Sequence, residues 1–383
     1  MVRLLHTADL HLGMRLTRFS EETAGKIIEM RMKCLEEILD IAKKQEVDFA
    51  LIAGDLFDDA SADRTTAARA YELISEKSPC TIFVLPGNHD PLIPGSVWDR
   101  PPWNDARQPV VVLRERRGYA APGGASVIGA PLFWRRSRED PLGFAVPERS
   151  EKFRVGAAHG SLSGIGVPID KDDNPISSAS IAAARLDYLA LGHWHGMRRY
   201  DDLRAAYSGT PEPMGFGDAG AQELGWIGME GVPGGEEGCV LIVTLEEKHN
   251  PVIEPVRVAR LAWRSEERSV TSQTNWGSEI VDHFASLPDQ EQTILRLVLK
   301  GEMTPEGQER LEELEQIVRG RYFAAEVNSD ALAFAPGDEE IRETVGEGVL
   351  RRVYEELRAQ AAQDVVAKRA FSLLYKLAKE AQK

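Results

Sequence analysis

Five of the chain's eight histidines stand directly after short apolar runs: His11, His89, His159, His193 and His195. The segments read LLHTADLH with Asp9 and His11, FALIAGD with Asp55, TIFVLPGNHD with Asn88, His89 and Asp90, FRVGAAHG with His159, and DYLALGHWH with His193 and His195. Imidazole nitrogens beside carboxylate and carboxamide oxygens, with no thiolate among them, suit divalent ions such as Mn²⁺, Fe or Zn²⁺. Singly each motif is weak, because a D-x-H after a strand arises often by chance. The weight lies in the ordered set D-x-H, G-D, G-N-H-D, H and G-H-x-H. His6, His249 and His283 stand outside it and read as packed or solvated residues.

Parallel strands bring the residues after their carboxyl ends to one edge of a sheet, so five separate segments can meet at one site. The flanking sequence supplies such strands. Leu4 and Leu5, then 49–53, then 81–85 are apolar strand-like runs; a helical stripe at Ile28, Leu35, Ile38, Leu39 and Ala42 and a second helix near 67–74 separate them. Strands alternating with helices at this spacing predict an α/β fold with a largely parallel or mixed sheet. Further strands are expected at 110–113, 153–158, 188–191, 240–245 and 252–261, with a helix near 176–184.

From Trp276 the pattern becomes a compact α-β-α-β unit: a helix to Leu287, a strand at 293–300, a helix from Pro305 to Arg319 closed by Gly320, and a strand at 322–327. The remaining residues read as helical, with stripes at Leu350, Val353, Leu357 and Ala361 and at Val366, Ala370, Leu373 and Leu377. Three regions are therefore expected, at 1–270, 276–337 and 338–383.

The composition, 43% hydrophobic and 28% charged over 383 residues, excludes disordered, collagen-like and coiled-coil classes. Neither a membrane span nor a signal peptide is read in the sequence, so a cytoplasmic protein is expected. Cys34, Cys80 and Cys239 are too far apart for a zinc pair and odd in number, so they read as buried thiols. The net charge of -15 is uneven: residues 1–200 hold 26 basic against 27 acidic residues, 201–350 hold 12 against 30, and 351–383 hold 8 against 4. Residues 107–138 carry Arg107, Arg114, Arg116, Arg117, Arg135, Arg136 and Arg138 against Glu115 alone, with Trp134 interleaved. Such a cluster suits a phosphate backbone, and equally a solvated loop.

Over about residues 2–211 the ordered set resembles the calcineurin-like metallophosphoesterases. The resemblance implies a four-layer α/β/β/α sandwich with a smaller α+β capping domain and C-terminal helices. It also implies two divalent ions, Mn²⁺ foremost, with Mg²⁺, Fe or Zn²⁺ as alternatives. Carried over motif by motif, Asp9, His11 and His195 hold one ion, Asn88, His159 and His193 the other, and Asp55 bridges both. His89 then faces the scissile phosphate, and Asp58 orients it, the competing reading of Asp58 being an N-cap for the next helix.

Protein phosphatases are disfavoured, since ADLHLG, GDLFDDA and GNHD stand where that branch has other motifs. HTADLHLG with GDLFD and GNHDP resembles the SbcD-like DNA repair nucleases, and YSGTPEPMGF at 207–216 offers Ser208 and Thr210 hydroxyls beside the metals. The implied function is a two-metal DNA exonuclease, with endonuclease action on structured or single-stranded DNA. The alternative is a phosphodiesterase of nucleotides or other small phosphoesters, and a third reading, a metal-poor scaffold, conflicts with the full ligand set. The implied partners are DNA, held along Arg114, Arg116, Arg117, Arg135 and Arg136, a second copy of the chain, and an SbcC-like ATPase in trans, because no Walker A motif occurs here. The C-terminal helices would dock on that ATPase; no membrane is involved. Two features depart from the pattern: the acidic second half, and the Gly- and Glu-rich stretch 217–238.

Overall fold

The computed structural model describes residues 1–144, 148–163, 173–216, 238–271, 273–303, 305–334, 343–345 and 348–361, with isolated positions beyond. The excursion at 217–237 and Val366 of the second helical stripe lie outside the described residues. The chain divides into two compact units, one of Met1–Met214 with Gly228–Leu261 and one of Gly215–Ile227 with Ala262–Lys383.

The first unit is built on two six-stranded mixed sheets. Its elements are β1 (Val2–Thr7), α1 (Glu21–Lys44), β2 (Phe49–Ile52), α2 (Arg64–Lys77), β3 (Thr81–Val84), β4 (Val110–Val112), β5 (Gly118–Ala121), β6 (Ala125–Ala130), β7 (Phe153–His159), α3 (Ser178–Ala184), β8 (Tyr188–Gly192), β9 (Arg198–Tyr200), β10 (Ala205–Tyr207), β11 (Cys239–Leu245) and β12 (Val252–Arg257). One sheet runs β12-β11-β1-β2-β3-β4 and the other β5-β6-β7-β8-β10-β9. The strands β1 to β4 are mutually parallel, as are β6, β7 and β8.

Strand alternation explains the layers. In β2, Phe49 and Leu51 join the core between the sheets while Ala50 and Ile52 face the core under α1 and α2. In β8, Tyr188 and Ala190 face the other sheet while Leu189 and Leu191 pack with Ile181 of α3. The result is an α/β/β/α sandwich. Its helices start on side-chain caps: Ser20 accepts from the Thr23 amide, Asp63 from Thr66 and Ser177 from Ser180. Asp63 therefore caps α2, which removes the capping alternative for Asp58.

The second unit opens with β13 (Ala262–Val270), a strand that the sequence pattern assigns to the first domain. A wide turn at Trp276–Val281 leads into α4 (Asp282–Ser286), followed by β14 (Thr293–Met303), α5 (Pro305–Arg321), β15 (Ala324–Phe334) and α6 (Val349–Ala361). The three strands form one parallel sheet in the order β13-β14-β15. Gly320 lies inside the last turn of α5 rather than past its end, because the helix continues to Arg321. Phe284, Leu295, Leu297, Leu299, Leu314, Val318 and Tyr354 make the core. In α6 the expected stripe is split: Leu357 packs beside Tyr354 against this core, whereas Val349, Leu350 and Val353 are exposed. No helix of the described residues is long and apolar enough to cross a membrane.

Candidate metal centre

All five strand-end segments meet at one edge of the sandwich. The chain after β1 runs alongside the chain after β2, with Asp9 N bonded to Gly54 O at 3.1 Å and His11 N to Asp55 O at 3.0 Å. The loop after β8 closes on them, its His193 amide donating to both Asp9 carboxylate oxygens at 3.1 Å. Four of the site residues take left-handed backbone, Asp9 (φ 56°), His11 (φ 46°), Asp55 (φ 50°) and His193 (φ 104°). Non-glycine residues persist there only where their surroundings over-determine them. Glycine permits the tightest approaches: a Cβ on Gly54 would stand 2.0 Å from His159 Nδ1, and one on Gly87 2.2 Å from Asp55 Oδ1.

The donor atoms fall into three overlapping groups, Asp9 with His11 and His195, Asp9 with Asp55 and His159, and His11 with Asp58 and His89. Asp55 Oδ2 lies 3.3 Å from His159 Nε2 and 3.8 Å from His11 Nε2, so one carboxylate stands between the two sets. Asn88 Oδ1 closes the second set, 2.6 Å from His159 Nε2 and 3.2 Å from His193 Nδ1. His159 Nδ1 donates to the Ala53 carbonyl at 2.9 Å, which leaves Nε2 for the cleft.

Electrostatics single out the same groups. Burial and then the neighbouring Asp55 charge push Asp9 up to about 7, against the pull of His159. Burial opposes the Asp55 charge too, but the His159 imidazole, by charge and by hydrogen bond, outweighs it and holds Asp55 well below the usual carboxylate range. Burial would neutralise His159, yet the carboxylates of Asp55 and Asp9 carry it up to about 9. His11 and His195 are held neutral by burial, the form in which imidazole binds a metal. His11 Nε2 is buried with no hydrogen-bond partner. Buried carboxylates crowded together, beside a bare imidazole nitrogen, fit a cation.

Asp58 sits differently from the expectation. Its carboxylate contacts His11 Nδ1 at 3.1 Å, while its backbone carbonyl accepts from His89 Nδ1 at 2.9 Å, and its carboxylate is 3.9 Å from that nitrogen. Ser208 and Thr210 are fully buried and offer no hydroxyl to the cleft: Thr210 Oγ1 is spent on the Asp9 and Glu212 carbonyls, both at 2.9 Å. Of the five arginines, Arg114 is turned inward, donating to the carbonyls of Trp98 and Trp103. Arg116 pairs with Glu139 at 2.5 Å and Arg117 with Glu115 at 2.9 Å. Arg135 lines the cleft with Asn88 and His89, and Arg136 is within electrostatic reach of Asp173.

Three supporting residues are given no role by the sequence pattern, and two of them, Asp173 and Arg31, carry no mark in it. Asp173 accepts from His193 Nε2 at 3.0 Å and from the Ser161 hydroxyl at 2.6 Å. Arg31 of α1 is buried and ties the Leu10 carbonyl (2.7 Å) to those of Glu212 (2.9 Å) and Pro213 (3.2 Å). Asp90 bonds the amides of Gly87 and Phe57 at 2.7 and 3.0 Å, joining two of the loops. Asp90 at least offers a signal, as the last residue of GNHD.

Residues 2–197, just over half the chain, match the calcineurin-like phosphoesterase family. The chain belongs to that family, and its class is that of metal-dependent phosphoester hydrolases. Among its relatives, the SbcD component of the SbcCD nuclease of Rhodobacter capsulatus is 24% identical over 313 residues, covering 68% of this chain and 71% of that one. An uncharacterized metallophosphoesterase, YhaO, of Bacillus subtilis is 28% identical over 204 residues, 50% of this chain and 48% of its own. The DNA double-strand break repair protein Mre11 of Methanopyrus kandleri is 26% identical over 246 residues, 56% and 50% respectively. The chain thus spans about half the length of the last two.

Proposed function

We propose that this chain is a two-metal DNA nuclease, preferring Mn²⁺ and acting as an exonuclease in DNA end processing. The observation that carries the metal assignment is Asp55, whose one carboxylate oxygen faces His11 on one side and His159 on the other. In this reading Asp9, His11 and His195 hold one ion, Asn88, His159 and His193 the other, and Asp55 both. Bound there, divalent ions supply Lewis-acid stabilisation of phosphoryl oxygens and lower the pKa of water. DNA is favoured as the substrate by the relatives named as nuclease and DNA repair proteins and by Arg135 beside the cleft.

The protein's own groups then have distinct tasks. A carbonyl only accepts, so the bond to Asp58 O fixes the hydrogen of His89 on Nδ1 and leaves Nε2 as the nitrogen free for chemistry. From a part-exposed position in the cleft, that nitrogen stabilises charge on the transferring phosphate and, when protonated, supplies the leaving oxygen with its proton. Arg135 and Arg136 hold the flanking backbone, while Arg114 contributes to folding rather than to DNA. An SbcC-like ATPase is the proposed partner, met through the exposed Val349, Leu350 and Val353 of α6.

The test is purified protein with Mn²⁺ on end-labelled single-stranded and duplex DNA, beside bis-p-nitrophenyl phosphate and cyclic nucleotides. Ladders shortening from an end are expected. Hydrolysis confined to the small esters would overturn the DNA reading and leave a small-substrate phosphodiesterase.

A further inference from the structure

The rim of the cleft carries an aromatic residue with no assigned role. Arg135, which lines the cleft with Asn88 and His89, follows Phe133 and Trp134 in sequence. This segment is fixed at both ends. On one side Leu132 donates to the Pro86 carbonyl at 3.2 Å and accepts from the Leu92 amide at 2.8 Å, bracketing the loop that bears Asn88 and His89. On the other, the Arg135 carbonyl accepts from Asn174 Nδ2 at 3.3 Å and the Ser137 carbonyl from the Asn174 amide at 3.0 Å. Asn174 adjoins Asp173, on which His193 rests, so the rim is registered to residues of both halves of the cluster.

The two aromatics differ in surroundings. Phe133 is 37% exposed and has one face taken by the Arg116 guanidinium, 5.3 Å from its centroid, which Glu139 holds in place. Trp134 is 65% exposed, although an indole carries one of the largest apolar surfaces of any side chain. The neighbouring acids are already engaged: Glu139 with Arg116, Asp140 with the Ser177 amide and the Ser180 hydroxyl at the start of α3, and Asp59, which faces Arg135 across the cavity, with the Ser61 amide and hydroxyl. What the rim offers is an exposed indole next to a cation that lines, with Asn88, His89 and Pro91, a cavity of about 360 Å³ adjoining the metal cluster, a small-molecule volume.

We propose that Trp134 is a stacking platform for an unpaired nucleobase next to the scissile phosphate, with Arg135 on the adjoining phosphate. The inference rests on the nuclease reading and narrows it to single strands and frayed ends. Alternating base and phosphate is what a single strand presents, and aromatic faces interleaved with cations are how proteins hold it without reading sequence. Paired bases are buried in their own stack and cannot use such a platform. A docking protein fits less well, because the two exposed rings, Phe133 and Trp134, are followed directly by Arg135, Arg136 and Arg138, whereas the core of a protein interface is depleted of charge.

The experiment measures Mn²⁺-dependent cleavage of a labelled single-stranded oligonucleotide, and of the same strand carrying abasic residues around the cut, by wild type, Trp134→Ala and Trp134→Phe. Trp134→Ala is expected to lower kcat/KM on the normal strand about 10- to 100-fold. Trp134→Phe should retain most of the rate, the abasic strand should be cut equally by all three, and metal content should not change. Equal cleavage of the normal strand by wild type and Trp134→Ala overturns the platform while leaving the nuclease reading intact. An equal loss on normal and abasic strands also overturns it. A wild type that cuts no oligonucleotide but hydrolyses small esters overturns the nuclease reading and the platform together.

Discussion

The two compact units handle polar side chains in opposite ways. In the first, Asp9, His11, Asp55 and His159 are almost wholly buried, crowded together and held on left-handed or glycine-flanked backbone. In the second, charged residues stay near the surface and pair among themselves, as Glu266 does with Arg264 and Arg268 and Lys300 with Glu267, around a core of Phe284, Leu297 and Tyr354. Burying charge without a partner is costly, so the first arrangement is retained for what it does and the second for what it stabilises. Substitutions in one should therefore show in metal content and rate, and substitutions in the other in unfolding.

Asp55→Asn is expected to have the largest effect. The amide keeps an acceptor for the His89 amide hydrogen, now at 2.8 Å, but removes the charge shared by the two sets. Hydrolysis should fall on the order of 10⁴-fold or more, with loss of both ions in a metal analysis. Retention of both would sink the bridging role. Phe284→Ala should next cost about 3–5 kcal/mol of unfolding free energy, because it empties the centre of the second core. Denaturation of the variant beside wild type measures it, and a metal content unlike wild type's would contradict the separation of roles.

His89→Ala should slow hydrolysis by about 10²-fold or more at full metal occupancy, as loss of an acid or charge stabiliser does. If ions leave with the side chain, His89 is a ligand and has been misplaced. Asp173→Asn is the smallest of the four and the sharpest. It weakens the carboxylate support of His193 Nε2, so titration calorimetry with Mn²⁺ should show one of the two ions bound about 10- to 100-fold more weakly and the other as in wild type. Two unchanged affinities would make Asp173 a loop residue only.

The strand-end residues are legible in the sequence because a short apolar run fixes both the strand and the point where it stops. Whatever follows that point is delivered to the sheet edge, so Asp9, Asp55, Asn88 and His159 can be placed together without coordinates. The arginines of 107–138 have no such anchor. Charge in a loop says nothing about direction, and Arg114 turns inward to cap two tryptophan carbonyls while Arg135 reaches the cleft. Asp58 is legible, but a carbonyl does the work expected of its carboxylate on His89, and backbone atoms leave no mark on residue type. Arg31 looks like any charged residue of an amphipathic helix. Asp173 follows no apolar run at all. The stripe of α6 misleads because its period fits a face centred on Leu350 and Leu357, and Tyr354, between them, is the residue that is fully buried.

The bonds from the His193 amide to the Asp9 carboxylate join positions 184 residues apart. They give the cleft a place in time as well as in space. On a ribosome adding roughly 5–20 residues each second, Asp9 emerges early and waits on the order of 10 s or more for the strand that completes its surroundings. Until then the sites exist only as separate strand ends, and a growing or truncated chain has no assembled metal centre. A hydrolase built in this way stays inert until the strand that ends at Gly192, and the loop with His193 and His195 after it, have been synthesised and folded.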